Sequence, residues 1–170
     1  MAMEAMPTDK SSPIKYSISG HSGDSPDIPF LSFDDDKPTD EGSKYAVLEA
    51  MVAHSQYCMS GDYTARAAEL AVNGIVQSSD SEGAERYVIV VSDANFERYG
   101  IQPAALEKVL LKDSRVKAHM ILIASLGGEA EAVVQQMPGC KGQIHTCYNT
   151  AALPSIFRKI LLEAIGEGVA

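Results

Sequence analysis

This sequence predicts a three-layer, doubly wound α/β fold with a mostly parallel sheet, and three observations carry that reading. Residues 86–91 (RYVIVV) hold five consecutive apolar residues with no polar alternation. A strand with one wet face would alternate, so this run implies a strand covered on both faces by helices. Residues 116–124 (VKAHMILIA) form a second, similar run. From residue 86 onward, strands and helical patterns follow in the order β-α-β-α-β-α, which is how a doubly wound parallel sheet is written along a chain.

The whole chain sets bounds on function. Its 170 residues and 45% apolar content suit one domain with a real core. Asp and Glu number 23 against 14 Lys and Arg, a formal net charge of −9. Such a surface repels a phosphate backbone, which argues against nucleic acid and favours a cation or a basic face on a partner. The three cysteines, Cys58, Cys140 and Cys147, are odd in number and include no CxxC pair, so a reducing, intracellular compartment is expected. No apolar run approaches the ~18 residues of a membrane helix. The start, MAMEAMPTDKSSP, lacks an apolar core for secretion, and Glu4 and Asp9 argue against an Arg-rich transit peptide.

Taken in order, residues 1–13 read as a disordered leader and residues 14–170 as the folded part. Residues 14–19 (IKYSIS) alternate as a short strand, and residues 20–26 (GHSGDSP) are loop chemistry. Residues 28–33 form a second short strand, which Pro29 confines to an edge. After an acidic loop, Ser43 looks like the cap of a helix over 45–57 with Val47, Leu48, Met51 and Val52 inward. A helix over 63–76 follows, with Ala67, Ala68, Leu70, Ala71 and Ile75 inward, and 78–85 connects to the apolar strand. Pro103 opens a helix reaching Lys112, and a short helix spans 128–137. A weaker strand covers 143–147, and an amphipathic helix covers 153–165.

Candidate chemistry is sparse. Ser22 in GHSGDSP invites a nucleophile reading, but the second Gly of a G-x-S-x-G elbow arrives one position early. A small serine hydrolase using Ser22 with His21 or His145 near Asp93 is therefore the alternative reading. Neither G-x-G-x-x-G nor G-x-x-x-x-G-K-[ST] occurs, and residues 126–129 are only a strand-to-helix turn. His119 within a strand and His54 on a helix read as satisfied structural residues. Asp93 ends the apolar strand, where open α/β sheets place their ligands. Asp62 precedes a helix and would ordinarily be a cap. Together with Ser92 and Thr64, these carboxylates make a set of hard oxygen donors suited to Mg²⁺, Mn²⁺ or Ca²⁺.

The strings GHSGDSP, AHSQYCMSGDYT, YVIVVSDANFERYGI and ILIASLGG resemble the carboxyl-terminal von Willebrand factor A domain of a family of large AAA-type ATPases. The resemblance covers roughly residues 14–165. It implies a metal-ion-dependent adhesion site (MIDAS) at the top of the sheet, built from a D-x-S-x-S motif, a Thr from a later loop and an Asp after the fourth strand. Asp93 matches the last of these. In the Thr loop, Asp62 falls where general A domains place Thr, and Thr64 follows two residues later. No D-x-S-x-S occurs in this chain. The first strand and helix of an A domain are therefore expected to be lacking, and that strand would lie between those beginning at Ile14 and ending at Asp93. Its loss leaves unpaired strand edges, to be closed by direct pairing of the two halves, by a strand from another chain, including a homodimer, or by adjustment within a fragment of a longer protein.

These readings converge on a non-enzymatic interaction module with an incomplete metal site at Asp93, Asp62, Thr64 and Ser92, taking Mg²⁺ or Mn²⁺ weakly. Its partner would be a protein or another domain of a parent ATPase, with no nucleic acid and no membrane span. The resemblance adds a mitochondrial location. A structural remnant without metal is the third reading.

Overall fold

The computed structural model describes residues 14–58, 60–78, 84–124 and 128–166. The expected leader and residues 126 and 127 of the turn at 126–129 lie outside them. The chain divides into two compact units, the first ending at Tyr63 and the second beginning at Thr64.

In the first unit, β1 (Ile18–Gly20) and β2 (Ile28–Leu31) pair antiparallel, with Ser19 opposite Pro29. A two-stranded ribbon has only edges, so the missing N–H of Pro29 costs no inner ladder bond. Helix α1 (Glu41–Tyr57) follows the acidic loop. Its cap is Asp40 and not Ser43: Asp40 Oδ1 accepts from the Ser43 amide at 2.9 Å, while Ser43 Oγ accepts from the Asp40 amide at 3.3 Å. Ser43 is thus the third residue of a reciprocal capping box. The expected inward face of this helix also needs correction. Val47 is buried, but Leu48, Met51 and Val52 are 37–46% exposed.

The second unit holds a three-stranded parallel sheet of order β3-β4-β5: β3 (Arg86–Ser92), β4 (Val116–Ile123) and β5 (Ile144–Cys147). Its helices are α2 (Thr64–Gln77), α3 (Pro103–Leu110), α4 (Glu129–Gln135) and α5 (Leu153–Gly166). One face packs Val88, Val90, Ala118, Met120 and Leu122 against Ala68 and Val72 of α2, Leu106 and Leu110 of α3, and Ala130 and Val133 of α4. The other packs Ile121 and Cys147 with Ile160, Ile156 and Phe157 of α5. Helices on both faces make the three layers that the alternating pattern predicts.

Two expectations change here. The middle strand is β4, buried along nearly its whole length, and beside it lies the 86–91 run, expected to be covered on both faces. That run forms an outer strand whose burial alternates, with Val88 and Val90 inside and Val91 38% exposed. Helix α2 turns Thr64, Ala68 and Val72 inward at four-residue spacing, leaving Ala71 exposed. Its many alanines gave a sequence pattern too uniform to fix the phase. Among the described residues no helix is long and apolar enough to cross a membrane.

Candidate functional site

β3 ends at Ser92, and the chain then folds into a tight turn. The Ser92 hydroxyl accepts from the Ala94 amide at 3.3 Å, and Asp93 Oδ1 accepts from the Asn95 amide at 3.1 Å. These are two overlapping side-chain-to-backbone turns, which Ser and Asp are suited to form. Ala94 between them has φ 64°, the left-handed region that costs an L-residue roughly 1–2 kcal/mol. Burial of Ala94 and Phe96 holds the turn down. Strain of this kind persists where the surroundings over-determine the backbone, and it clusters at functional positions.

Asp93 itself is exposed, whereas Ser92 and Thr64 are buried, Thr64 as the first residue of α2. Asp62 belongs to the first unit. There its side chain is 8% exposed and pairs with His21 Nδ1 at 3.7 Å. Among the described residues, no group of three or more His, Cys, Asp or Glu side chains is arranged to hold a metal ion. Asp93 contributes a single exposed carboxylate. It does not make a closed cage.

The GHSGDSP loop has a structural use. Ser22 is 3% exposed, and its hydroxyl accepts from the Asp24 amide at 3.1 Å. Gly23 lies against the Ser60 carbonyl, so the two loops of the first unit touch backbone to backbone. His54 Nε2 sits 3.3 Å from the His21 carbonyl oxygen.

Sequence reasoning treated the histidines singly and missed a pair. His119 Nδ1 and His145 Nε2 lie 3.3 Å apart, on β4 and β5. Burial holds both imidazoles below their ordinary pKa; each also feels a nearby base, His145 for His119 and Lys159 for His145. The signal was available in principle, since His119 and Ile121 share a face and Ile121 pairs with His145.

A parallel α/β sheet with an acidic turn at its carboxyl edge is consistent with a von Willebrand factor A-like fold. In sequence, the chain is 37% identical over 146 residues to von Willebrand factor A domain-containing protein 8 of Mus musculus. The match takes in 86% of this chain and 7% of that protein, so the chain spans a small fraction of the curated relative. No family model matches the chain, and no solved structure matches it.

Proposed function

We propose that the chain is a non-enzymatic protein-interaction module of the von Willebrand factor A type that presents a weak, incomplete divalent-metal site centred on Asp93. Support comes first from the strained turn, which fixes an exposed carboxylate at the carboxyl end of β3. Ser92 braces that turn, and Thr64 is a hydroxyl two residues after Asp62, the position where general A domains place their Thr. Asp62 enters the expected set from the other unit and is already paired with His21, so the proposal rests on Asp93. When bound, Mg²⁺ or Mn²⁺ would supply a positive point that a partner's carboxylate can complete.

The same reading takes the two units as parts of one A domain, residues 14–170, behind a leader at 1–13. The described strands fall into two sheets, β1-β2 and β3-β4-β5, and β3 is an apolar strand paired only with β4. An A domain lacking its first strand and helix would leave just such an edge, open to a strand from a second copy or from a parent AAA-type ATPase. The Ser22 hydroxyl is engaged in its own turn, which supports an interaction role over a hydrolase.

Isothermal titration with Mg²⁺ and Mn²⁺, native protein against Asp93→Ala, tests the proposal. Equal affinity in both proteins would remove the metal.

A further inference from the structure

The face of the second unit's sheet that packs under α5 carries a constellation the proposed function leaves unused. His119 and His145 present Nδ1 and Nε2 to each other at 3.3 Å. Their ring planes lie within 22° and their centres are 5.5 Å apart, so the rings meet edge to edge; the extra separation is the two ring radii. A nitrogen lone pair on one ring therefore faces the other ring's nitrogen. A cavity of about 320 Å³ opens beside them, lined by Tyr87, Lys117, His119, Gly142, Gln143 and Glu163.

We propose that His119 and His145 bind one imidazole-preferring divalent transition metal, Zn²⁺ or Cu²⁺, with Glu163 and water completing its shell. Two nitrogens held at about 2.0–2.1 Å from one tetrahedral ion lie about 3.3 Å apart, so the spacing already fits, and each ring has only to turn its lone pair off the line between the nitrogens, toward the cavity, to share the ion. The ligands come from adjacent strands of a packed sheet, which removes most of the ordering cost of assembling a site. Each imidazole is neutral at neutral pH and keeps its proton on the nitrogen turned away from the ion. The single N–H between the rings moves to the far nitrogen of its own ring, so no net proton is released.

Glu163 of α5 lines the same cavity, and its charge acts on both imidazoles. A swing of its side chain brings a third, anionic ligand; its present partner is Lys159 at 3.9 Å on exposed surface. Lys117 and Lys159 oppose a dication. Two protein nitrogens and one recruited carboxylate therefore make a modest site, with Cu²⁺ held more tightly than Zn²⁺. Its soft, nitrogen-based chemistry sets it apart from the oxygen site proposed at Asp93.

The test is a titration of the full chain with Zn²⁺ and Cu²⁺ at neutral pH, alongside His119→Ala, His145→Gln and the double variant. Native protein should take up about one equivalent, each single variant should bind at least tenfold more weakly, and Glu163→Gln should weaken binding less. Uptake by the double variant equal to that of native protein, or no uptake by native protein, would overturn the assignment. Electron paramagnetic resonance of the native Cu²⁺ complex reads the ligands without any substitution. Superhyperfine splitting from two nitrogens is expected, and splitting from one or none contradicts the proposal.

Discussion

Gly23 and Gly61 meet backbone to backbone: a Cβ added at Gly61 would lie 2.5 Å from the Gly23 Cα. Gly61 also holds φ +147°, a conformation open essentially to glycine alone. Gly61→Ala combines steric overlap with backbone strain and should lose about 2–3 kcal/mol in urea unfolding. Gly74 inside α2 has nothing within 4 Å of an added Cβ, so Gly74→Ala should gain about 0.5–1 kcal/mol. Equal effects from the two substitutions would contradict the loop contact.

Core and surface leucines should separate just as cleanly. Leu106 is fully buried between α3 and the sheet, so Leu106→Ala removes packed methyl groups and opens a cavity, at about 2–5 kcal/mol. Leu48 is 45% exposed on α1, and Leu48→Ala should change stability by no more than about 0.5 kcal/mol. Thermal unfolding of both variants measures the difference. A large loss at Leu48 would mean that the exposed face of α1 is wrongly placed.

Thiol chemistry gives a prediction with a defined sign. Burial first, and the Glu107 charge second, push the Cys140 thiol up to about 11. In the unfolded chain this thiol ionises near 9, so between about pH 9 and 11 the native state holds the proton that the unfolded state has lost. Stability should therefore fall as pH rises through that window, and Cys140→Ala should flatten the decline. In native protein at pH 8, Cys58 should be alkylated first, with buried Cys140 and Cys147 protected until unfolding. Mass spectrometry of the labelled protein checks the order.

Much of the second unit was legible in the sequence because its strands are runs of β-branched and apolar residues separated by Pro- or Gly-marked helices. Pro103 opens α3 as its position predicts, and β4 runs from Val116 to Ile123 within the predicted 116–124. Which strand lies in the middle was not legible. The runs at 87–91 and 120–124 are both wholly apolar, and only pairing distinguishes an outer strand from an inner one. The inward face of α1 was misread because its apolar residues outnumber the positions the first unit buries. At the candidate site, the place of Asp93 just beyond a strand end was legible, since β3 stops at Ser92. The Ala94 turn was hidden, since no sequence rule places a left-handed alanine. The engagement of Asp62 with His21 was equally hidden, because it joins residues far apart in sequence.

The most direct test of the account is where a paramagnetic ion settles. Mn²⁺ added in small amounts to isotope-labelled protein should broaden the amide signals of residues 92–95 first. Asp93→Asn, which keeps an acceptor for the Asn95 amide but removes the charge, should abolish that broadening and leave the fold unchanged. Broadening centred elsewhere, or equal in native protein and Asp93→Asn, would contradict a cation held at the end of β3.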